Sequence, residues 1–177
     1  MRGIFTNKGA DKLWKILKFL DAHPEKHDQT VWLHQGVGTV TELSNTVTWT
    51  CQTTGCLAGW AAVSSGWCPL IDDNELKSLT PGEDIAVEIV IDSKGIKKEI
   101  FEVAIRAFVG DKQTKMDDLI NHSTGHRYYM DHWLYDKNAT PTQKMWVLFD
   151  GGNTIGRLWH LAHIYSNGYI VRETDNG

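Results

Sequence analysis

No run of apolar residues in this sequence approaches the roughly 20 residues that a membrane-spanning helix requires. The first residues, Met1 to Lys8, also lack the apolar stretch of a signal peptide. There are only three cysteines, an odd number that does not suit the disulfide framework of a secreted domain. We therefore expect a cytoplasmic protein with no membrane contact and with mostly reduced thiols.

An excess of basic residues is also missing. The chain carries 18 lysine and arginine residues against 22 aspartate and glutamate residues, a formal net charge of −4. A general nucleic-acid binder needs a basic surface, so a protein is a better expected partner than a nucleic acid. The eight tryptophans supply large apolar area that suits a core or a protein interface.

Complete catalytic signatures are absent as well. The sequence has no Gly-x-Gly-x-x-Gly after a strand, no phosphate-binding loop ending in Gly-Lys-Ser/Thr and no His-Glu-x-x-His. No pair of carboxylates stands out as a general acid and base. The chemistry must therefore be argued from the cysteines, the histidines and the aromatic residues.

The composition predicts one globular domain over residues 1–177. Hydrophobic residues make up 41% of the chain and charged residues 23%, which is ordinary for a folded domain with a proper core. The pattern predicts an α+β, predominantly helical, compact fold with a central small-residue helix and a small β-hairpin. Residues 172–177 are expected to be a frayed tail.

The central helix is predicted to follow the segment from Cys51 to Cys56. Thr53 or Thr54 is the expected N-cap, because a threonine hydroxyl accepts a hydrogen bond from an unpaired backbone N–H. Gly59 is unfavourable within a helix, so we expect it to permit a close backbone approach. One face of this helix carries only small residues: Ala58, Ala61, Ala62 and Ser65.

The N-terminal helix is predicted over Gly9 to His23 and ends before Pro24. Its apolar stripe consists of Leu13, Ile16, Leu17 and Leu20. Towards the opposite side lie Lys8, Lys12, Lys15 and Lys18. These lysines indicate either a solvated face or a contact with an acidic partner.

The other elements are predicted from turn and cap signals. Expected β-structure comprises a hairpin over Gly36 to Cys51 and an apolar strand over Ile85 to Ile91. Expected helices are one from Ile100 to Phe108 closed by Gly110, a short one containing Met116, Leu119 and Ile120, one after the cap Thr140, and one from Asn153 or Thr154 to Tyr165.

Two sequence motifs carry a resemblance to a known family. The first motif is His-Pro-Glu-x-x-Asp-Gln-x-x-Trp, here His23, Pro24, Glu25, Asp28, Gln29 and Trp32. The second is Cys-x-Thr-x-x-Cys-x-Ala-Gly-Trp-Ala, here Cys51, Thr53, Cys56, Ala58, Gly59, Trp60 and Ala61. Together they resemble the motifs of a family of small, uncharacterised proteins from phages and actinobacteria. This chain departs from the family at Gln52, where the family has Gly, and residues 111–138 look like an insertion relative to the family. The resemblance implies a compact, mainly helical domain and a phage origin, with the host cytoplasm as its location, and it brings no established activity.

A zinc site is the first chemical hypothesis. Two histidines and two cysteines, His23, His27, Cys51 and Cys56, would supply the four ligands of a structural zinc. The Cys-x4-Cys spacing lies at the edge of the usual range, and Pro24 opposes a helix across the two histidines. In the alternative, Cys56 is a small buried hydrophobe, the histidines are surface residues and the protein has no cofactor.

Cysteine catalysis is the second hypothesis. Cys56 is expected in the first turn of the central helix, where the helix dipole lowers a thiol pKa. A histidine such as His126 or His132 would then have to lie within hydrogen-bond reach. The structural alternative assigns Cys51, Cys56, Gly59 and Trp60 to packing.

Binding without chemistry is the third hypothesis and the one we favour. The segment from His122 to Tyr135 combines histidines with aromatic residues that suit a protein-binding surface, namely Tyr128, Tyr129, Trp133 and Tyr135. We therefore predict a phage-type accessory protein that binds a host or phage macromolecule, with a protein as the favoured partner. The alternative is a small cysteine- or zinc-dependent enzyme.

Overall fold

The computed structural model of the chain describes residues 2–36, 54–71, 84–120 and 132–173. Within these ranges it contains seven α-helices and six short β-strands. The helices are α1 (Asn7–Ala22), α2 (Leu57–Ser64), α3 (Ile100–Val109), α4 (Met116–Ile120), α5 (His132–Tyr135), α6 (Pro141–Leu148) and α7 (Ile155–Tyr165). The strands are β1 (Leu33–Gly36), β2 (Thr54–Gly55), β3 (Cys68–Leu70), β4 (Asp84–Val87), β5 (Ile89–Ile91) and β6 (Lys97–Glu99).

Helix boundaries follow side-chain caps. The Thr6 hydroxyl accepts a hydrogen bond from the Gly9 N–H at 2.9 Å, so α1 begins before the predicted Gly9. Thr140 and Gln143 form a reciprocal capping box at the start of α6, with Pro141 in the first turn as predicted. Thr154 caps α7.

Two small antiparallel sheets flank the helices. One has the strand order β2-β1-β4, with Leu33 opposite both Gly55 and Val87. The other has the order β3-β5-β6, and its β5–β6 pair is a hairpin around a turn at residues 92–95. The hairpin that we predicted over Gly36 to Cys51 lies, apart from Gly36, outside the described residues.

The predicted strand over Ile85 to Ile91 is divided between the two sheets. β4 and β5 are separated by Glu88, whose carbonyl accepts a hydrogen bond from the N–H of Ile100 at the start of α3. One apolar run therefore contributes a strand to each of the two sheets, with Glu88 between them. β3 and β6 were not predicted from the sequence.

The core lies between the helices and the inner faces of the strands. α2 packs against α1 and α3, and its residues Leu57, Ala58, Gly59, Ala61 and Ala62 are all buried. α3 shares this central position, since it packs against α1, α2 and α6. α7 packs mainly on α1 and α6. The fold is α+β, mostly helical and compact, as predicted.

The C-terminal segment returns to α1. Arg172 forms two hydrogen bonds with the Asp21 carboxylate, at 2.6 and 3.0 Å, and Glu173 pairs with Lys18 at 2.7 Å. We had expected a frayed tail from Arg172 onwards, and these two residues differ from that expectation. The remaining tail, residues 174–177, lies outside the described residues.

Candidate functional site

The segment between α1 and β1 folds around the N-terminus of α2. Gln29 is buried, and its side-chain oxygen accepts a hydrogen bond from the Leu57 N–H at 3.2 Å. Its amide nitrogen donates to the Leu148 carbonyl at 3.2 Å, at the end of α6. The Gln29 side chain thereby satisfies one of the N–H groups that every helix start leaves without an intrahelical partner.

The two sequence motifs meet where the segment between α1 and β1 contacts the N-terminus of α2. A Cβ on Gly59 would lie 1.9 Å from the Trp32 carbonyl oxygen, which confirms the predicted close backbone approach. The Cys56 N–H donates to the carbonyls of Val31 and Trp32 at 3.0 and 3.3 Å, and the Trp60 indole N–H donates to the Lys26 carbonyl at 3.0 Å. Gly59 and Trp60 thus hold the two motifs together.

The predicted cap of the central helix is wrong for Thr54, which lies in β2. Cys56 occupies the N-cap position, and α2 begins at Leu57. The prediction missed this because β2 forms only through pairing with β1, which a local pattern does not reveal. Thr53, the other predicted cap, lies outside the described residues.

Cys56 is placed as a core residue. Its side chain is 1% exposed, and its sulfur lies 3.6 Å from the Trp32 carbonyl oxygen. A nucleophilic cysteine must reach its substrate, so this geometry favours the buried-hydrophobe alternative. His132 is exposed in α5 and contacts Trp133, with 4.7 Å between ring centroids. His126 lies outside the described residues.

The two candidate metal-binding histidines flank the turn at Pro24–Lys26. His23 is exposed, and its Nδ1 lies 3.5 Å from the Glu25 carboxylate. His27 lies in the segment between α1 and β1, with its Nε2 3.1 Å from the Gln29 side-chain oxygen. In the described ranges, no three His, Cys, Asp or Glu side chains are grouped so as to hold a metal. Cys51 lies outside these ranges, so the four-ligand zinc site stays a prediction.

Asp28 stabilises the same turn. Its carboxylate accepts hydrogen bonds from the Thr30 hydroxyl at 2.6 Å and from the Thr30 N–H at 3.0 Å. The hydroxyl bond is the main cause that lowers the pKa of Asp28 below its usual value, because it stabilises the charged form. The Asp28 N–H in turn donates to the Gly55 carbonyl at 3.1 Å, which ties this turn to β2.

Of the four predicted binding aromatics, two are described. Tyr135 is 82% exposed at the end of α5. Trp133 is half-buried and packs partly against the core. Tyr128 and Tyr129 lie outside the described residues.

A groove lies between α1 and α2 on the surface of the described structure. We call it the α1–α2 groove; its volume is about 550 Å³. Phe19 and Trp60 meet edge to face at 5.0 Å between ring centroids and form part of its apolar surface. The groove is lined by Lys8, Asp11, Lys12, Lys15, Ile16, Phe19, Trp60, Val63 and Ser64.

The charged groups of the α1–α2 groove are predominantly positive. Lys12 donates to the Ser65 hydroxyl at 2.6 Å, and burial lowers the pKa of its ammonium group. Among the described residues that line the groove, Asp11 is the single acidic one. It pairs with Arg2 at 2.5 Å and accepts a hydrogen bond from Tyr169. Its negative charge is thus compensated by a neighbour.

A second depression, of about 360 Å³, lies where β6, α3 and α4 meet. Its charged residues have both signs, and Glu102 forms ion pairs with Lys98 at 2.6 Å and with Arg106 at 3.0 Å. Burial and the neighbouring Glu102 and Glu88 raise the pKa of Glu99, which also lines this depression. Because its charged side chains have both signs, this depression favours no ligand of either sign.

Part of the α1–α2 groove could be predicted from the sequence. The lysine face of α1 was recognised, and contact with an acidic partner was one of its two interpretations. The opposite wall could not be predicted, because Trp60 and Val63 lie more than 40 residues along the chain from the α1 residues that line the groove. Lys18 lies outside the groove, with its ammonium 4.7 Å from the Trp14 ring and paired with Glu173.

Comparison with known proteins gives no further assignment. No family model, curated protein or solved structure matches this chain. Among the described residues, no helix is both long and apolar enough to span a membrane.

Proposed function

We propose that this chain is a phage-type accessory protein that acts by binding another protein, and that the α1–α2 groove is its contact surface. The observation that carries the proposal is an apolar groove of about 550 Å³ bordered by lysines. An amphipathic helix of a partner commonly docks in this way, with its apolar face in the groove and its polar residues at the rim. The phage setting and the host cytoplasm as the place of action rest on the sequence alone.

A protein suits the α1–α2 groove better than a nucleic acid does. Phe19 and Trp60 pack edge to face with each other, and Ile16 and Val63 extend the apolar lining. Nucleic-acid binding depends chiefly on phosphate contacts from an extended basic surface, whereas the whole chain has a net charge of −4. A local basic rim around an apolar groove is a combination typical of protein recognition.

The exposed Tyr135 supports a second contact area within the same proposal. An exposed tyrosine supplies contact area and one hydrogen-bonding group at a small cost in side-chain entropy. We propose that Tyr135 and the neighbouring aromatic residues Tyr128, Tyr129 and Trp133 contribute to binding.

The role of the α1–α2 groove in binding can be tested by a substitution that fills it. Ser64→Phe adds an aromatic ring at an exposed lining position; the hydrogen bond lost is the one that the Ser64 hydroxyl donates to the Ala61 carbonyl. A random peptide library displayed on mRNA is selected on the wild-type protein, and dissociation constants of the enriched peptides are measured by fluorescence anisotropy. We expect enriched peptides to bind Ser64→Phe at least about tenfold more weakly than wild type, a loss of about 1.4 kcal/mol.

Ser93→Phe is the matched control, since Ser93 is exposed in the β5–β6 turn away from the groove-lining residues. Circular dichroism confirms that both variants remain folded. The proposal is overturned if every enriched peptide binds Ser64→Phe as tightly as it binds wild type, or if no peptide is enriched.

A further inference from the structure

We infer that the segment that occupies the α1–α2 groove is an acidic amphipathic helix of the partner protein, with carboxylates that face Lys8, Lys12 and Lys15. This inference rests on the proposed function and specifies the chemistry of the partner. Its basis is the charge of the groove rim, the placement of Lys12 and the spacing of the three lysines along α1.

The rim of the α1–α2 groove is positively charged. Lys8 and Lys15 are exposed, and neither forms an ion pair within the described part of the chain. Asp11, which lies between them, is already paired with Arg2. An approaching carboxylate therefore meets attraction from the lysines and little net repulsion from Asp11.

Lys12 is held in position before any partner binds. Its ammonium donates to the Ser65 hydroxyl at 2.6 Å, and the Ser65 hydroxyl donates to the Ala61 carbonyl at 2.6 Å. Lys12 is partly buried, so its charge has lost part of its hydration, and this lowers the pKa of its ammonium group. A partner carboxylate would compensate for this loss, and the side chain needs little further ordering to meet it.

The spacing of the lysines fits a helix. Lys8, Lys12 and Lys15 are separated by four and three residues, which is about 6 and 4.5 Å along α1 at 1.5 Å per residue. Acidic residues at positions i, i+4 and i+7 of a partner helix have the same spacing and lie on one face. Apolar residues on the adjacent stripe of that helix would then contact Phe19 and Trp60 in the groove.

The test uses a pair of synthetic helical peptides of about 16 residues. One carries glutamates at i, i+4 and i+7 beside a leucine stripe, and the other has glutamines at the same positions. Dissociation constants are measured by fluorescence anisotropy at about 50 and 300 mM NaCl, because screening weakens ion pairs between exposed groups. We expect the glutamate peptide to bind at least about tenfold more tightly at the lower salt concentration, and the difference to shrink at the higher one.

Charge reversal identifies the residues involved. Lys8→Glu combined with Lys15→Glu should weaken the glutamate peptide by at least about tenfold and leave the glutamine peptide nearly unchanged. The matched control is Lys94→Glu combined with Lys112→Glu, which changes the net charge equally at exposed positions that do not line the groove. This control should bind both peptides as wild type does.

Three outcomes would overturn the inference. If the glutamine peptide binds as tightly as the glutamate peptide, and Ser64→Phe weakens both, the groove binds helices but does not select acidic ones. If both charge reversals have the same effect, only net charge matters. If neither peptide binds, or if a single-stranded oligonucleotide or an anionic vesicle binds in place of the glutamate peptide, the partner is not an acidic helix. The proposed function is judged separately, by the library selection, which assumes no charge.

Discussion

At the scale of single residues, the Gln29 side chain joins two helices that are distant in sequence. Its oxygen accepts from the first N–H of α2, and its nitrogen donates to the last carbonyl of α6. An amide side chain carries an acceptor and a donor on two separate atoms, whereas a carboxylate cannot donate and an ammonium cannot accept. A buried N–H or carbonyl group that lost its hydrogen bond to Gln29 would lower the free energy of unfolding by about 1–3 kcal/mol. Gln29 therefore has a structural role that is sufficient to explain its place in the first motif.

Gly59→Ala is the prediction that belongs to this scale. The added Cβ would lie 1.9 Å from the Trp32 carbonyl oxygen, so backbone atoms must move. We expect the free energy of unfolding to fall by about 1–3 kcal/mol, measured by urea denaturation. Gly156→Ala in α7 is the control, because the nearest described atoms lie 4.0 Å from its Cβ. It should be neutral or stabilise by up to about 1 kcal/mol; equal losses in both variants would contradict the argument.

At the scale of elements, α2 depends on its surroundings. Isolated helices shorter than about 12 residues are unstable in water, and α2 spans only Leu57–Ser64. Its small residues allow α1 and α3 to pack closely on it, and Gly59 brings it against the segment before β1. The helix is therefore stabilised by tertiary contacts rather than by its own propensity.

Ala61→Leu tests this packing. Ala61 is fully buried, so the larger side chain should force its neighbours apart and lower the free energy of unfolding by about 1–3 kcal/mol. Thermal melting followed by circular dichroism gives the measurement. Ala22→Leu is the control, since Ala22 is exposed at the end of α1, and a change within about 0.5 kcal/mol is expected there. An unchanged melting temperature for Ala61→Leu would show that α2 is not closely packed.

At the scale of the whole molecule, the two ends of the described chain meet near the end of α7. The Ile4 N–H donates to the Tyr165 carbonyl at 3.0 Å, and the Arg2 guanidinium lies 3.4 Å from the centroid of the Tyr169 ring. Asp21 in α1 accepts hydrogen bonds from both Trp159 and Arg172. Through these contacts α1, which forms one wall of the α1–α2 groove, packs against the C-terminal part of the chain.

Ile170→Ala tests how much this closure contributes to stability. Ile170 is 0% exposed, and removal of its side chain should leave a cavity and lower the free energy of unfolding by about 2–5 kcal/mol. The neighbouring Val171 is 55% exposed, so Val171→Ala should change it by no more than about 0.5 kcal/mol. The free energies of unfolding of both variants are compared by chemical denaturation. If Ile170→Ala were no less stable than Val171→Ala, the C-terminal segment would not be part of the cooperative unit.

Much of the helical structure followed from the sequence because the signals are local. Thr140 with Pro141 predicted the start of α6, Thr154 was one of two predicted caps for α7, and Gly110 ends α3 with a positive φ of 81°. Two apolar stripes at helical spacing predicted α1 and α3. The short strands were harder to predict, because two to four residues carry no clear alternation and form only where a partner strand is available.

The sequence by itself determined the helical, α+β character of the domain and the lysine face of α1, because caps and periodicity act within a few residues. It also showed Gly59 as an unfavourable residue within a helix, and the tertiary structure supplied the reason, the contact with Trp32. Only the tertiary structure decided that Gln29 reaches α2, that Cys56 is buried and that Trp60 stands opposite the lysines. Those arrangements depend on contacts between segments that are tens of residues apart, and chain folding alone brings such segments together.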